Sequence, residues 1–289
     1  MYFKQNNDVY RKLIRWLKNG LLSFVGIMAV LAWLFPSLWF CKTVAFSSLK
    51  PIDSRVYVSP YLNDKDYALL SRVIFRSERR VSHFFKGKES NPTIIVCTTQ
   101  KEYSKYCSGY EGAGCSVAAP WGESFIILSR EGLNVDVLSH EMSHAELVEK
   151  LGWWKTNWEI PQWFNEGLAL MLDRRFVNVS TPEARYEGYH DRWMLEYSKY
   201  DSPDQLDQMI SMRGFFNRGE GGVMYAYMSA GLEVSYWLAT MNPEGLPYFF
   251  ELNKRGKSFK ESYAEAEKAC MQARKSSLVV NPLRKRDVE

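Results

Sequence analysis

The chain has 289 residues, 46% of them apolar and 15% aromatic, so it can bury a sizeable core in one or two domains and is not a disordered chain. Its net charge of +4 comes from Lys and Arg scattered among Asp and Glu. With no basic stripe, a nucleic-acid partner is not expected.

Residues 1–20 read as a basic segment carrying Lys4, Arg11, Lys12, Arg15 and Lys18. Residues 21–40 hold no charge, a length suited to a hydrocarbon core of about 30 Å. Only Lys42 and Lys50 follow closely, so the charge bias predicts a cytoplasmic N-terminus and an extracytoplasmic remainder. The partner implied is the lipid bilayer, through residues 21–40, with Trp33, Trp39 and Phe40 suited to its interface. The alternative is a signal peptide processed near Thr43-Val44-Ala45, giving a secreted protein.

Residues 41–54 read as a linker, 55–278 as the folded domain and 279–289 as a flexible tail. Within the domain, Arg55 to Val58 predicts a strand, Asp64 to Lys86 a helix, Thr93 to Thr98 a strand and Lys101 to Cys107 a short helix. Ser108 to Glu123 reads as a Gly-rich loop. Cys107 and Cys115 flank much of it and could pair in an oxidising compartment, or remain free thiols. Ser124 to Ser129 predicts an apolar strand, a candidate for pairing with an extended substrate unless it lies inside a sheet.

The next helix carries His140-Glu141-Met142-Ser143-His144. Asn134 or Asp136 can cap it and Gly152 can end it. Residues i and i+4 share a helix face, so the two imidazoles can reach one metal ion while Glu141, one step round, is free to handle a proton. A catalytic zinc takes a third protein ligand. Of the chain's four histidines, His83 and His190 remain as candidates. Glu166 is preferred, in a predicted helix over residues 161–175 where bulky apolar neighbours leave a carboxylate in need of a partner. Beyond residue 152 every strong pattern is helical. Thr181-Pro182 starts one helix, Ser202 to Gln205 another, Gly222 to Met241 is long and aromatic, and Ser258 with Glu261 forms a capping box before a last helix running to about Lys275.

His140-Glu141-Met142-Ser143-His144 together with Trp163-Phe164-Asn165-Glu166-Gly167-Leu168-Ala169 resembles the gluzincin metallopeptidases, and is distantly similar to their aminopeptidase N-like branch. The closer likeness is to the compact peptidase MA-like domains, through Pro161, Trp163, Glu166, Gly167 and Ala169 and through Gly256, Ser258 and Phe259. Twenty-one residues separate His144 from Glu166, a little more than in the aminopeptidases, and the Gly-Ala-Met-Glu-Asn motif that holds a free amino terminus there is absent. The resemblance implies an α+β zincin-like fold, with an N-terminal α/β lobe and a C-terminal helical lobe around the metal. It also implies one Zn2+ per chain on His140, His144 and Glu166, Glu141 as general base, and a peptide or protein substrate. Related enzymes steady the developing oxyanion with a Tyr on a later helix; Tyr227 is preferred here over Tyr225. The alternative is a membrane-anchored, catalytically silent binding or scaffold protein that keeps the metal site.

Overall fold

The computed structural model describes residues 2–108, 112–197, 206–241 and 244–273. Helix α1 (Tyr2–Leu34) contains, over Ile14–Leu34, the one helical stretch among the described residues that is long and apolar enough to cross a membrane. A membrane span and an N-terminal signal sequence share that length and composition. The uncharged segment 21–40 is not one helix. Pro36 has no N–H to continue the helix and forces Phe35 out of the helical region, so a short α2 (Pro36–Lys42) follows a break.

The stretch expected as linker belongs to the folded domain. Leu38, Cys41 and Val44 recur every three residues and present one face, and with Leu49 they pack against Ile95, Cys97, Tyr103 and Tyr106. Strand β1 (Lys50–Pro51) then pairs antiparallel with β2 (Val56–Val58).

Helix α3 (Asp64–Phe85) is capped by Asn63, whose side chain accepts from Asp66 N–H. Strand β3 (Thr93–Val96), helix α4 (Gln100–Tyr106), strands β4 (Gly114–Ala118) and β5 (Ser124–Leu128), and helix α5 (Val135–Leu151) complete this lobe. The sheet order is β1-β2-β3-β5-β4, with β2, β3 and β5 parallel and the two edge strands antiparallel. Strand β5 is apolar from Phe125 to Leu128 because both its faces are covered. Ile126 and Leu128 join the core with α3 and α5, whereas Phe125 and Ile127 join the core with α2 and α4.

Two expectations are corrected here. The strand 124–128 is interior, hydrogen-bonded on both sides, and offers no edge to a substrate. The supposed loop 108–123 contains one of the two edge strands, β4. Cys107 and Cys115 are joined as a disulfide with a Cα–Cα distance of 6.4 Å. A non-reducing peptide map should therefore yield these two cysteines as one linked species, and two separately alkylated thiols would contradict the pairing. Cys41 and Cys97 are buried and free, and burial pushes both thiols up to about 12.

The rest is helical: α6 (Trp153–Trp158), α7 (Gln162–Leu170), α8 (Pro182–Tyr197), α9 (Met212–Phe216), α10 (Gly219–Thr240), α11 (Gly245–Lys254) and α12 (Phe259–Ala273). The start expected for a helix at Ser202 to Gln205 falls outside the described residues, as does the tail 279–289, and a short 3-10 turn at Asp207–Met209 follows. Helix α10 is central and packs on α7, α8, α9 and α12. Its crossing with α7 explains Gly167, where a Cβ would stand 2.3 Å from Val234 Cγ2 and 2.7 Å from the Ala230 carbonyl oxygen. Helix α12 starts at the expected capping box. Ser258 N–H donates to Glu261 Oε2 at 2.9 Å, and Glu261 N–H donates to Ser258 Oγ at 3.3 Å. The architecture is thus a mixed α+β lobe followed by a helical one.

Candidate metal centre

Helix α5 begins at Asn134, whose Oδ1 accepts from the N–H groups of Asp136 and Val137 at 3.0 Å each. Val137, Leu138, Met142 and Leu147 set the helix into the core. That rotation turns His140 and His144 to one side, their ring centroids 5.1 Å apart. Helix α7 starts after Pro161 and ends at Leu170, five residues earlier than expected. Trp163 and Phe164 anchor it in an aromatic cluster with Phe259 and Tyr263, and Glu166 then faces α5.

The three side chains converge. His140 Nε2 lies 3.3 Å from Glu166 Oε2, and His144 Nε2 lies 3.8 Å from Glu166 Oε1. All three donor atoms fall within 4.8 Å of one another. Ligand atoms about 2.0–2.1 Å from one tetrahedral ion stand about 3.4 Å apart, so the spacing suits a single ion. Glu166 Oε1 accepts from Gln162 Nε2 at 2.8 Å, while the buried Oε2 has no hydrogen-bond donor among the described residues. An unsatisfied buried carboxylate oxygen is costly, and a cation in line with it removes that cost. The buried His140, His144 and Glu166 group can therefore bind a metal ion. His83 is exposed and His190 lies 3.4 Å from Asp191, and neither joins the cluster.

Further residues orient these ligands, and sequence reasoning missed them. His144 Nδ1 donates to the side-chain Oδ1 of Asn165 at 2.8 Å, leaving Nε2 with the lone pair. Asp173 is fully buried, with Oδ2 at 3.6 Å from His140 Nδ1. It is held in turn by Arg175, whose Nε reaches its two oxygens at 3.0 and 2.9 Å. The available signal was a lone acid directly after the apolar run Leu168 to Leu172. A carboxylate so placed must find partners, and Asp173 finds a cation and an imidazole. Asp173→Asn should weaken metal binding about 10–100-fold, the usual effect of losing such an outer partner. Competition with a chromogenic chelator measures it, and an unchanged affinity would confine Asp173 to holding Arg175.

The cluster perturbs its own titrations. Burial opposes charge on His140, but Asp173, Glu166 and Glu141 outweigh it and raise its pKa to about 10. Burial acts against ionisation of Glu166 too, yet the two histidines lower its pKa. Burial pushes Glu141 up to about 7, with the His140 charge pulling the other way. Glu141 lies outside the ligand set and close to β4. A Cβ on Gly114 would stand 3.1 Å from both Cγ and Oε1 of Glu141. The glycine thus lets the edge strand pass directly beside this carboxylate.

The two candidate tyrosines on α10 point to different neighbours. Tyr225 is buried beside Trp193 and Tyr197 of α8. Tyr227 stacks on Phe176 at 6.0 Å and meets Phe215 edge-on at 5.2 Å. Phe176 directly follows Arg175, so Tyr227 packs beside the end of the Asp173–Arg175 segment. No family model and no curated protein matches this chain.

Proposed function

We propose that the chain is a membrane-anchored zinc peptidase of the gluzincin kind. The observation that carries this reading is the convergence of His140, His144 and Glu166, with Glu141 beside them but turned to the sheet edge. Two imidazoles and one carboxylate are a donor set that suits zinc, and His140, His144 and Glu166 would hold it. Bound there, zinc would supply a Lewis acid and a water acidic enough to act as a nucleophile near neutral pH.

The protein's own groups do the rest. An extended peptide pairs with the open edge of β4, whose first residue adjoins Glu141. Glu141 accepts the proton released by the attacking water and returns it to the leaving amine. Burial raises its pKa above the ordinary carboxylate range, which suits a group that first takes a proton and then returns it. Asn165 and Asp173 hold the two imidazoles in their ligating orientation. Tyr227 is assigned to the developing oxyanion. Tyr227→Phe should keep metal and fold while lowering kcat about 10²-fold or more, with Tyr225→Phe near wild type. Steady-state kinetics on both variants checks this, and the reverse pattern would transfer the role to Tyr225.

Apolar α1 with its basic flank favours a cytoplasmic N-terminus and an extracytoplasmic domain. The Cys107–Cys115 bridge fits such an oxidising compartment. The deciding experiment is metal analysis of the purified protein with a peptide-library cleavage assay before and after chelation. One zinc per chain and chelator-sensitive cleavage are expected. Bound zinc with no cleavage across a broad library would leave a silent binding protein instead.

A further inference from the structure

The β4–β5 hairpin turn and helix α6 leave three indoles in solvent: Trp121 is 63% exposed, Trp154 64% and Trp158 75%. They belong to one surface. Trp153 Nε1 donates to the Ala118 carbonyl oxygen at 2.9 Å, tying α6 to the hairpin, and Trp121 and Trp154 line the same open cleft. Trp154 and Trp158 are four residues apart on a helix and share its outer face.

This surface is fastened to the end of the apolar N-terminal segment. Glu123, in the same turn, accepts from Trp121 Nε1 at 2.7 Å through one oxygen and pairs with Lys42 through the other. Lys42 ends α2, and the exposed Trp39 and Phe40 lie one turn or less before it. Lys105 of α4 sits 4.9 Å above the Phe40 ring, on the same end of the segment. At 1.5 Å per residue, Lys42 stands about 3 Å beyond Phe40. The polar layer on each side of a bilayer is about 5–8 Å deep. A membrane that takes up the apolar surface as far as Phe40 brings its headgroup layer to Lys42, and Lys42 is joined through Glu123 to Trp121. Indoles favour that layer because it wets the N–H and buries the ring.

We propose that the 119–123 turn and the outer face of α6 form a lipid-docking surface, seating the domain on the bilayer beside its own anchor. This rests on the membrane-anchor reading and is independent of peptidase activity. Edge strand β4 ends at this turn, so about 14 Å of strand joins headgroup level to the residue beside Glu141.

The test uses the full chain in phosphatidylcholine vesicles doped with a phosphatidylcholine carrying a diazirine near the headgroup end of its acyl chain. After irradiation, adducts are mapped by mass spectrometry. The peptides containing Trp121, Trp154 and Trp158 should be labelled together with residues 14–40. The peptide containing Leu195, 85% exposed on α8, should not. Labelling confined to residues 14–40 would overturn the proposal while leaving the anchor intact. Loss of labelling at 14–40 as well would overturn the anchor and the docking surface together.

Discussion

Glu141→Gln is expected to bind metal as the wild type does and to lose turnover by about 10²–10⁴-fold, the usual contribution of a positioned acid–base group. The amide matches the carboxylate in shape, so β4 can still pass at Gly114 and α5 keeps its packing. What disappears is the proton acceptor. Because Glu141 is not among the three converging ligands, metal content should hold. The pH profile gives a second readout. Burial raises Glu141 to about 7 in the metal-free protein, so its ionised form fills in as pH rises through that value. A bound cation would move this limb lower by favouring the charged form. Wild-type activity should therefore climb on an acid limb that Glu141→Gln lacks. Metal content and kcat measured on one preparation decide the matter. A variant with normal turnover would remove Glu141 from the chemistry.

Glu166→Ala is expected to abolish stoichiometric metal binding. It removes the only carboxylate in the cluster and leaves two imidazoles, one fewer than the three protein ligands a catalytic zinc site needs. The loss should be visible in thermal melts as well as in metal content. A ligand present at about 1,000 times its Kd stabilises the native state by about 4 kcal/mol, and that zinc-dependent rise in Tm should vanish in the variant. The variant also removes the acceptor for Gln162 Nε2, so its metal-free Tm must be compared with that of the metal-free wild type. Full zinc occupancy in Glu166→Ala would end the gluzincin reading. His190 could not then simply replace it, since it lies beside Asp191 and outside the cluster.

Much of the site was legible because its signals are local. His140 and His144 share a helix face by spacing alone, and Asn134 and Gly152 bound that helix as their side-chain chemistry and backbone freedom require. Glu166 stood out as a carboxylate among bulky apolar residues, and Ser258 with Glu261 marked the start of α12. The run Ser124 to Leu128 announced a strand, but a continuous apolar run does not say which neighbours cover it.

The rest depended on contacts between distant residues. Gly114 to Ala118 has weak strand chemistry and a glycine at its head, and it becomes an edge strand only because β5 pairs with it. Residues 41–54 look like linker until β2 and α4 give Val44, Leu49 and Cys41 something to pack on. Asp173 reaches His140 because α7 stops at Leu170 and the chain turns back, with Arg185 binding the carbonyl oxygens of both Leu170 and Asp173. The surroundings of Tyr225 and Tyr227 likewise come from distant segments, α8 for the first and Phe176 for the second. Sequence by itself determined the two metal-ligand helices and most of the elements, because periodicity and capping act within a few residues. Tertiary structure alone decided the strand order and the orienting residues, because β2, β3 and β5, like His140 and Asp173, lie far apart in the chain and meet only in the packed fold.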